Sequence, residues 1–225
     1  MLMKHFSGAD KPLRISPMCH FFMGGVSAGQ NGQTEIPGLW VAGEVAGGLH
    51  GANRMGGNAL DEVLVFGYRA GKAAAEAAME QDRLKGFPEG IKERLESFQK
   101  KRTNVTQGWP AKTLRKKIGE ILWKQGGILR EGGGLASARE ALRNIEQEDL
   151  PRAKVDSPKE ILERMEVENA LLVGEMILKS ALMRQESRGA HFRKDFPLTD
   201  DQKWKGNIFL KKSKEGMNLE FRPLS

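Results

Sequence analysis

Glycine is distributed very unevenly along this chain, and that unevenness limits its fold more than any other feature. Of 27 glycines in 225 residues, 14 fall in the first 85. Glycine has no Cβ and adopts backbone angles closed to other residues, so a dense run marks turns where the main chain approaches something closely. Residues 1–85 read as short turns and strands of this kind. Beyond Lys85-Gly-Phe-Pro-Glu-Gly90, where Gly and Pro cluster, composition shifts to charged, helix-forming sequence. The expected organisation is therefore a mixed α/β segment over 1–85, a mainly helical bundle over 86–190, and a tail over 191–225.

Within the first segment, Gly38-Leu-Trp-Val-Ala-Gly43 reads as a short buried apolar strand entered from a Pro-Gly turn and ended at Gly43-Glu44. From Leu60 the apolar residues Val63, Leu64, Phe66, Ala70, Ala73 and Ala74 recur three and four apart. That spacing predicts a helix to about Asp82, with Asn58 as its N-cap. Strand, glycine-rich loop and helix in succession form the arrangement in which a sheet edge meets a ligand.

The second part predicts four helices, over Ile91–Arg102, Pro110–Gln125, Leu135–Gln147 and Lys159–Glu186. Ser157, Pro158 and Glu160 form a capping-box start for the last of these, and Gly189 follows its end. Ile161, Met165, Leu172, Met176 and Leu182 are its expected packing stripe. Asn207–Lys212 and Met217–Arg222, joined by Ser-Lys-Glu-Gly, predict a terminal hairpin.

Composition excludes several classes of function. With Cys19 as the single cysteine, neither an intramolecular disulfide nor a cysteine-rich metal site can form, and no metal ligands are assigned. The longest apolar stretch, Ala170–Met183, is broken by Glu175 and Lys179, so no transmembrane segment is expected. The chain start lacks the pattern of a cleaved leader, and the expected location is cytoplasmic, with membrane association only through partner subunits. The net charge of +7 lies wholly in residues 86–225, with 28 basic against 21 acidic side chains. Its basic runs, Lys100–Arg102 and Arg115–Lys117, have no interleaved aromatics on which bases could stack, so nucleic acid is not an expected partner.

Two segments carry chemistry that a core would not select: Pro17-Met-Cys-His-Phe-Phe-Met-Gly-Gly25, and Gly43-Glu-Val-Ala-Gly-Gly-Leu-His-Gly-Ala-Asn-Arg-Met-Gly-Gly-Asn-Ala-Leu60. A histidine and an arginine carried by glycine-dense loops can converge on a carboxylate, the arginine as a fork and the histidine as a donor. The helix beginning near Ala59 adds free N–H groups and the positive end of its dipole. On residue type alone, a solitary histidine such as His20 is more often structural than catalytic.

Together the two segments resemble the paired motifs of the fumarate reductase and succinate dehydrogenase flavoprotein family, which includes L-aspartate oxidase. The motifs are His-aromatic-x-Met-Gly-Gly, Gly-Leu-x-x-Ala-Gly-Glu, and His-Gly-Ala-Asn-Arg-x-Gly-Gly-Asn-small-Leu before a helix with Val-Phe-Gly. Glu186-Ser-Arg-Gly-Ala-His-Phe-Arg-Lys-Asp-Phe-Pro197, with Asp200, Asp201 and Trp204, resembles the family's C-terminal signature. The resemblance implies an FAD enzyme moving a hydride between flavin N5 and a dicarboxylate, with residues 1–85 as the returning part of a Rossmann-like FAD-binding domain. It places His20 and Arg54 on the substrate carboxylates, Glu44 beside the FAD ribose, and Asn58, Ala59 and Leu60 beside the flavin. His50 is read as packing or as a support behind the residues that touch substrate, and no residue of this chain is assigned a proton-transfer role.

No Gly-x-Gly-x-x-Gly occurs in the sequence, and nothing in it matches the family's substrate-capping domain. The chain is thus expected to be the C-terminal part of such an oxidoreductase, inactive without an N-terminal FAD-binding half and unable to retain FAD alone. The alternative is a non-catalytic helical module, residues 86–225 docking to an iron–sulfur electron-transfer subunit. Which dicarboxylate the complete enzyme would use is not encoded in these residues.

Overall fold

The structure, a computed structural model, describes residues 17–80, 90–93, 96, 108–214 and 216–224. The expected boundary near Lys85 and most of the helix expected over Ile91–Arg102 lie outside these residues.

The first helix, α1, spans Asn58–Glu80. Asn58 is its first residue rather than the expected cap. Its alanines and unbranched side chains favour helix, but within this chain only Glu62 and Ala70 are buried on it. Leu60, Leu64 and Tyr68 are 71%, 71% and 73% exposed. At Gly32, which has φ +74°, a Cβ would stand 2.7 Å from the Ala70 Cβ, and the Gly43–Val45 3-10 turn packs on α1 as well. Glycine is needed at position 32 on both conformational and steric grounds.

The strand expected over Gly38–Gly43 is not formed. Trp40 makes a single antiparallel bridge to Gln33, and the Gly32–Val41 turn closes through Val41 N–H donating to the Gly32 carbonyl at 2.8 Å. A strand exists only by pairing, and among the described residues nothing else pairs with this one. Among the described residues 17–80, the mixed α/β character expected of residues 1–85 therefore reduces to one α-helix, turns and isolated bridges.

The buried apolar cluster is built mainly from three helices, α2 (Ala111–Gly126), α3 (Gly132–Asn144) and α4 (Pro158–Met183), with Ile145, Leu150 and Ala153 added from the turns after α3. Each helix packs against the other two. Leu114 and Ile118 meet Leu135, Leu142 and Leu178, all at most 3% exposed. The capping box of α4 forms as expected, with Glu160 N–H donating to Ser157 Oγ and Ser157 N–H donating to Glu160 Oε2.

Three expectations for these helices are corrected. First, α4 buries Val167, Leu171, Gly174, Leu178 and Ala181, whereas Leu172, assigned to the packing stripe, is 50% exposed. Apolar residues surround α4, so spacing alone does not choose a face; Gly174 does, by admitting Leu142 and Leu122 against the bare backbone. Second, α3 begins at Gly132, three residues earlier than expected, because the Asp195 carboxylate accepts the Gly132 N–H at 2.9 Å. That distant cap offsets the poor helix propensity of three glycines. The α-helical part ends at Asn144, and the chain continues through a π turn (Ile145–Asp149) and a 3-10 turn (Leu150–Arg152). Third, α4 stops at Met183 with Arg184 extended, so Gly189 is not its C-cap.

Between α2 and α3, β1 (Leu129–Arg130) pairs in parallel with β2 (Phe192–Arg193), which follows α4, and a short helix α5 spans Asp201–Trp204. The terminal hairpin forms slightly longer than expected, with β3 (Gly206–Ser213) antiparallel to β4 (Gly216–Pro223). Arg184 ties it to the end of α4 by donating to the carbonyls of Trp204 and Gly206 at 2.9 and 2.6 Å.

Candidate active site

The two glycine-dense segments lie against each other. Val26 N–H donates to the Val45 carbonyl at 2.8 Å, and Gly47 N–H donates to the Val26 carbonyl at 3.0 Å. This contact requires glycine on both sides. A Cβ at Gly25 would stand 2.3 Å from the Val45 oxygen, and one at Gly47 would stand 2.7 Å from the Gly25 nitrogen. Glu44 adds a further tie, its Oε1 accepting the Phe22 N–H at 2.9 Å. The carboxylate expected beside a ribose therefore also holds the segment that carries His20.

Phe21 joins that segment to the loop before α1. The Arg54 guanidinium lies 4.5 Å above the Phe21 ring, and His50 meets the same ring edge-on at 5.3 Å. Such contacts orient a cation without neutralising it. His50 Nε2 donates to Glu62 Oε2 at 2.9 Å, and both side chains are almost fully buried, which agrees with a packing role for His50. Arg54 is half-buried; its Nη1 donates to the Met55 carbonyl, while its Nε is buried with no hydrogen-bond partner. A buried unpaired guanidinium nitrogen is costly in a closed structure and marks a group with bonding capacity to spare.

His20 is exposed, one residue from the ring under Arg54. Asn58 and Leu60 are exposed and Ala59 half-buried where α1 begins, and Leu60 N–H donates back to the Gly57 carbonyl at 3.1 Å. A Cβ placed at Gly48, Gly51, Gly56 or Gly57 would meet no atom within 4 Å. The structure thus sets the His20 segment against both Glu44 and Arg54, with open space around the glycines that lead from Arg54 into α1. Among the described residues, no group of three His, Cys, Asp or Glu side chains could hold a metal ion, and no helix is long and apolar enough to cross a membrane.

One cluster was not singled out residue by residue from the sequence. Glu186, fully buried, accepts from Arg184 and from Arg188 Nε and Nη2, and its Oε2 accepts the Asp200 N–H at 2.8 Å. Burial alone would raise its pKa, but these donors hold it below the usual glutamate value. Arg193, 2% exposed, donates to the Ala181 carbonyl at 2.7 Å and forms a fork with both Asp195 oxygens, which holds the Asp195 carboxyl well below its ordinary range. Arg130 Nη1 donates to His191 Nδ1 at 2.8 Å. The available signal was the density of charge between Arg184 and Asp201, in a stretch that Gly189 and Pro197 keep from being a solvated helix face.

Known proteins resemble this chain over nearly its whole length. The profile described as fumarate reductase flavoprotein C-term matches residues 115–225, and the profile of an FAD binding domain matches residues 5–60. The chain is 35% identical to the fumarate reductase flavoprotein subunit of Mycobacterium tuberculosis, over 95% of this chain and 38% of that protein. It is 33% identical to the chloroplastic L-aspartate oxidase of rice, over 96% of this chain and 34% of the relative. Its fold matches the FrdA chain of E. coli quinol fumarate reductase with a TM-score of 0.84 at 30% identity, covering 96% of this chain and 38% of FrdA. The chain therefore spans little more than a third of the length of the relatives it matches. It belongs to the fumarate reductase, succinate dehydrogenase and L-aspartate oxidase family of FAD-dependent flavoproteins and corresponds to their C-terminal part.

Proposed function

We propose that this chain supplies the substrate-carboxylate grip and one wall of the flavin site of an FAD-dependent oxidoreductase that acts on a short dicarboxylate. The observation that carries the reading is the seating of Arg54 on Phe21, with its Nε left unpaired and open space around the glycines that flank it. A guanidinium so placed offers a fork to a carboxylate, and the exposed His20 next to Phe21 offers a second donor.

The residues present fit part of FAD. Glu44 is exposed, with one oxygen committed to Phe22, and the first turn of α1 presents N–H groups and a positive dipole end to an anionic ring edge. FAD, when bound, supplies the two-electron chemistry of the reaction. Arg54 and His20 hold and orient the dicarboxylate, and the positive charge of Arg54 stabilises negative charge that builds on it. The sequence has no glycine fingerprint for the pyrophosphate, so that contact belongs to an N-terminal FAD-binding half, whether in the same polypeptide or another. This chain alone then holds no stoichiometric FAD; one flavin per chain after gel filtration of the purified chain would contradict that.

The deciding experiment is Arg54→Ala in the complete flavoprotein, assayed with a reduced dye and fumarate. Losing a charged clamp from a desolvated site lowers kcat/KM by about a hundredfold or more, with flavin content unchanged. Near-normal turnover would overturn the reading. His20→Ala acts in the same direction but less severely, since one donor rather than a fork is lost.

A further inference from the structure

We infer that the Ser187–His191 turn is a positioning clamp on the loop that carries Arg54, with Gly189 and His191 as positioning residues. The inference rests on the reading of Arg54 as the carboxylate grip. Ala190 N–H donates to the Ala52 carbonyl at 3.1 Å, two residues before Arg54. Gly189 lies directly against the same peptide at φ +56°, and a Cβ there would stand 2.2 Å from the Ala52 oxygen and 2.8 Å from the Ala52 Cβ. Only glycine meets both the angle and the approach.

The loop needs such an anchor. Gly48, Gly51 and Gly57 all have positive φ, at 106°, 55° and 89°, and a backbone this rich in glycine has many conformations to lose. The turn that meets it is held from both ends. Arg188 and His191 exchange backbone hydrogen bonds at 2.8 and 3.0 Å, and Arg188 grips buried Glu186 at 2.8 and 3.0 Å. His191 accepts from Arg130 at Nδ1 and donates from Nε2 to the Arg184 carbonyl at 3.3 Å. Rigidity in the buried charge network is thereby carried to Ala52. Arg54 gains two supports, the Phe21 ring beneath its guanidinium and the tether on its own loop. Misplacing a substrate-orienting group by about 1 Å can cost on the order of a hundredfold in rate.

The test is a mutant cycle in the complete flavoprotein, with fumarate as substrate and flavin content measured for each variant. Gly189→Ala is expected to lower kcat/KM by about tenfold or more, to speed amide exchange in peptides spanning residues 50–56, and to leave FAD bound. In an Arg54→Ala background the same change is expected to cost less than about twofold, because a tether matters only through the group it places. His191→Ala follows the same pattern more mildly, and His191→Gln, which keeps an acceptor and a donor, recovers part of the loss. If Gly189→Ala yields no folded holoenzyme, the His191 pair carries the same cycle. Equal losses with and without Arg54, or native kcat/KM and exchange in Gly189→Ala, would overturn the clamp. If Arg54→Ala collapses activity while Gly189→Ala does not, the grip stands and the clamp alone falls. If Arg54→Ala is harmless, the grip itself is refuted, and the clamp with it.

Discussion

His50 and Glu62 share one hydrogen bond of 2.9 Å, with their side chains only 5% and 2% exposed. They tie the loop before α1 to the second turn of that helix. Removing His50 strands a buried carboxylate, which costs about 3 kcal/mol. His50→Ala is therefore expected to lower the melting temperature of the protein, while the fumarate KM of a folded, flavin-loaded variant changes little. Unchanged stability with a pure loss of rate would assign His50 to the chemistry instead.

Acid is expected to loosen the C-terminal network in two stages. Burial, helped by the charges of Arg130, Arg184 and Arg193, lowers the His191 pKa from 6.5 to about 4. The folded state then binds fewer protons than the unfolded state between these values, so stability present above pH 6.5 is lost as pH falls toward 4. Glu186 and Asp195, both held below their ordinary values, add a further loss at lower pH. Urea midpoints from pH 8 to 3.5 should fall in this order, and His191→Gln should flatten the limb above pH 4. A flat wild-type profile down to pH 4 would show that His191 does not titrate as its surroundings require.

Arg193 is expected to be the costliest single truncation in the C-terminal half. Its guanidinium closes the end of α4 through the Ala181 carbonyl and pairs with Asp195, which in turn caps α3 at Gly132. Arg193→Ala leaves both helix ends open and a carboxylate without its partner, a loss of about 3–5 kcal/mol. Denaturant unfolding measures it. A loss below about 1 kcal/mol would mean that water replaces these contacts readily.

Two helical glycines should respond with opposite signs. Gly119, in the exposed middle of α2, has nothing within 4 Å of an added Cβ, so Gly119→Ala should stabilise by about 0.5–1 kcal/mol. At Gly174 the Cβ would stand 2.7 Å from Leu142 Cδ1. Overpacking of about 1–3 kcal/mol outweighs the same propensity gain, and Gly174→Ala should destabilise by about 1 kcal/mol. Thermal melts of the two variants give the comparison directly.

Features decided by neighbours along the chain could be read from the sequence alone. The Ser157–Glu160 capping box, the run of α1 from Asn58, and the terminal hairpin each depend on a few adjacent residues. His20, Glu44, Arg54 and Asn58–Leu60 stood out through the resemblance of their motifs to a flavoprotein family, which glycine spacing alone does not supply. Tertiary structure decided what depends on distant partners. Asp195 set the start of α3 from 63 residues away, and Gly174 chose the buried face of a helix whose own pattern is ambiguous. Trp40 stayed outside any strand because a strand is defined by the chain beside it, which no local signal contains. Gly189 looked like a helix stop and became instead the contact with Ala52, since spacing reports the backbone angle that a glycine permits but not the atom that comes to rest against it.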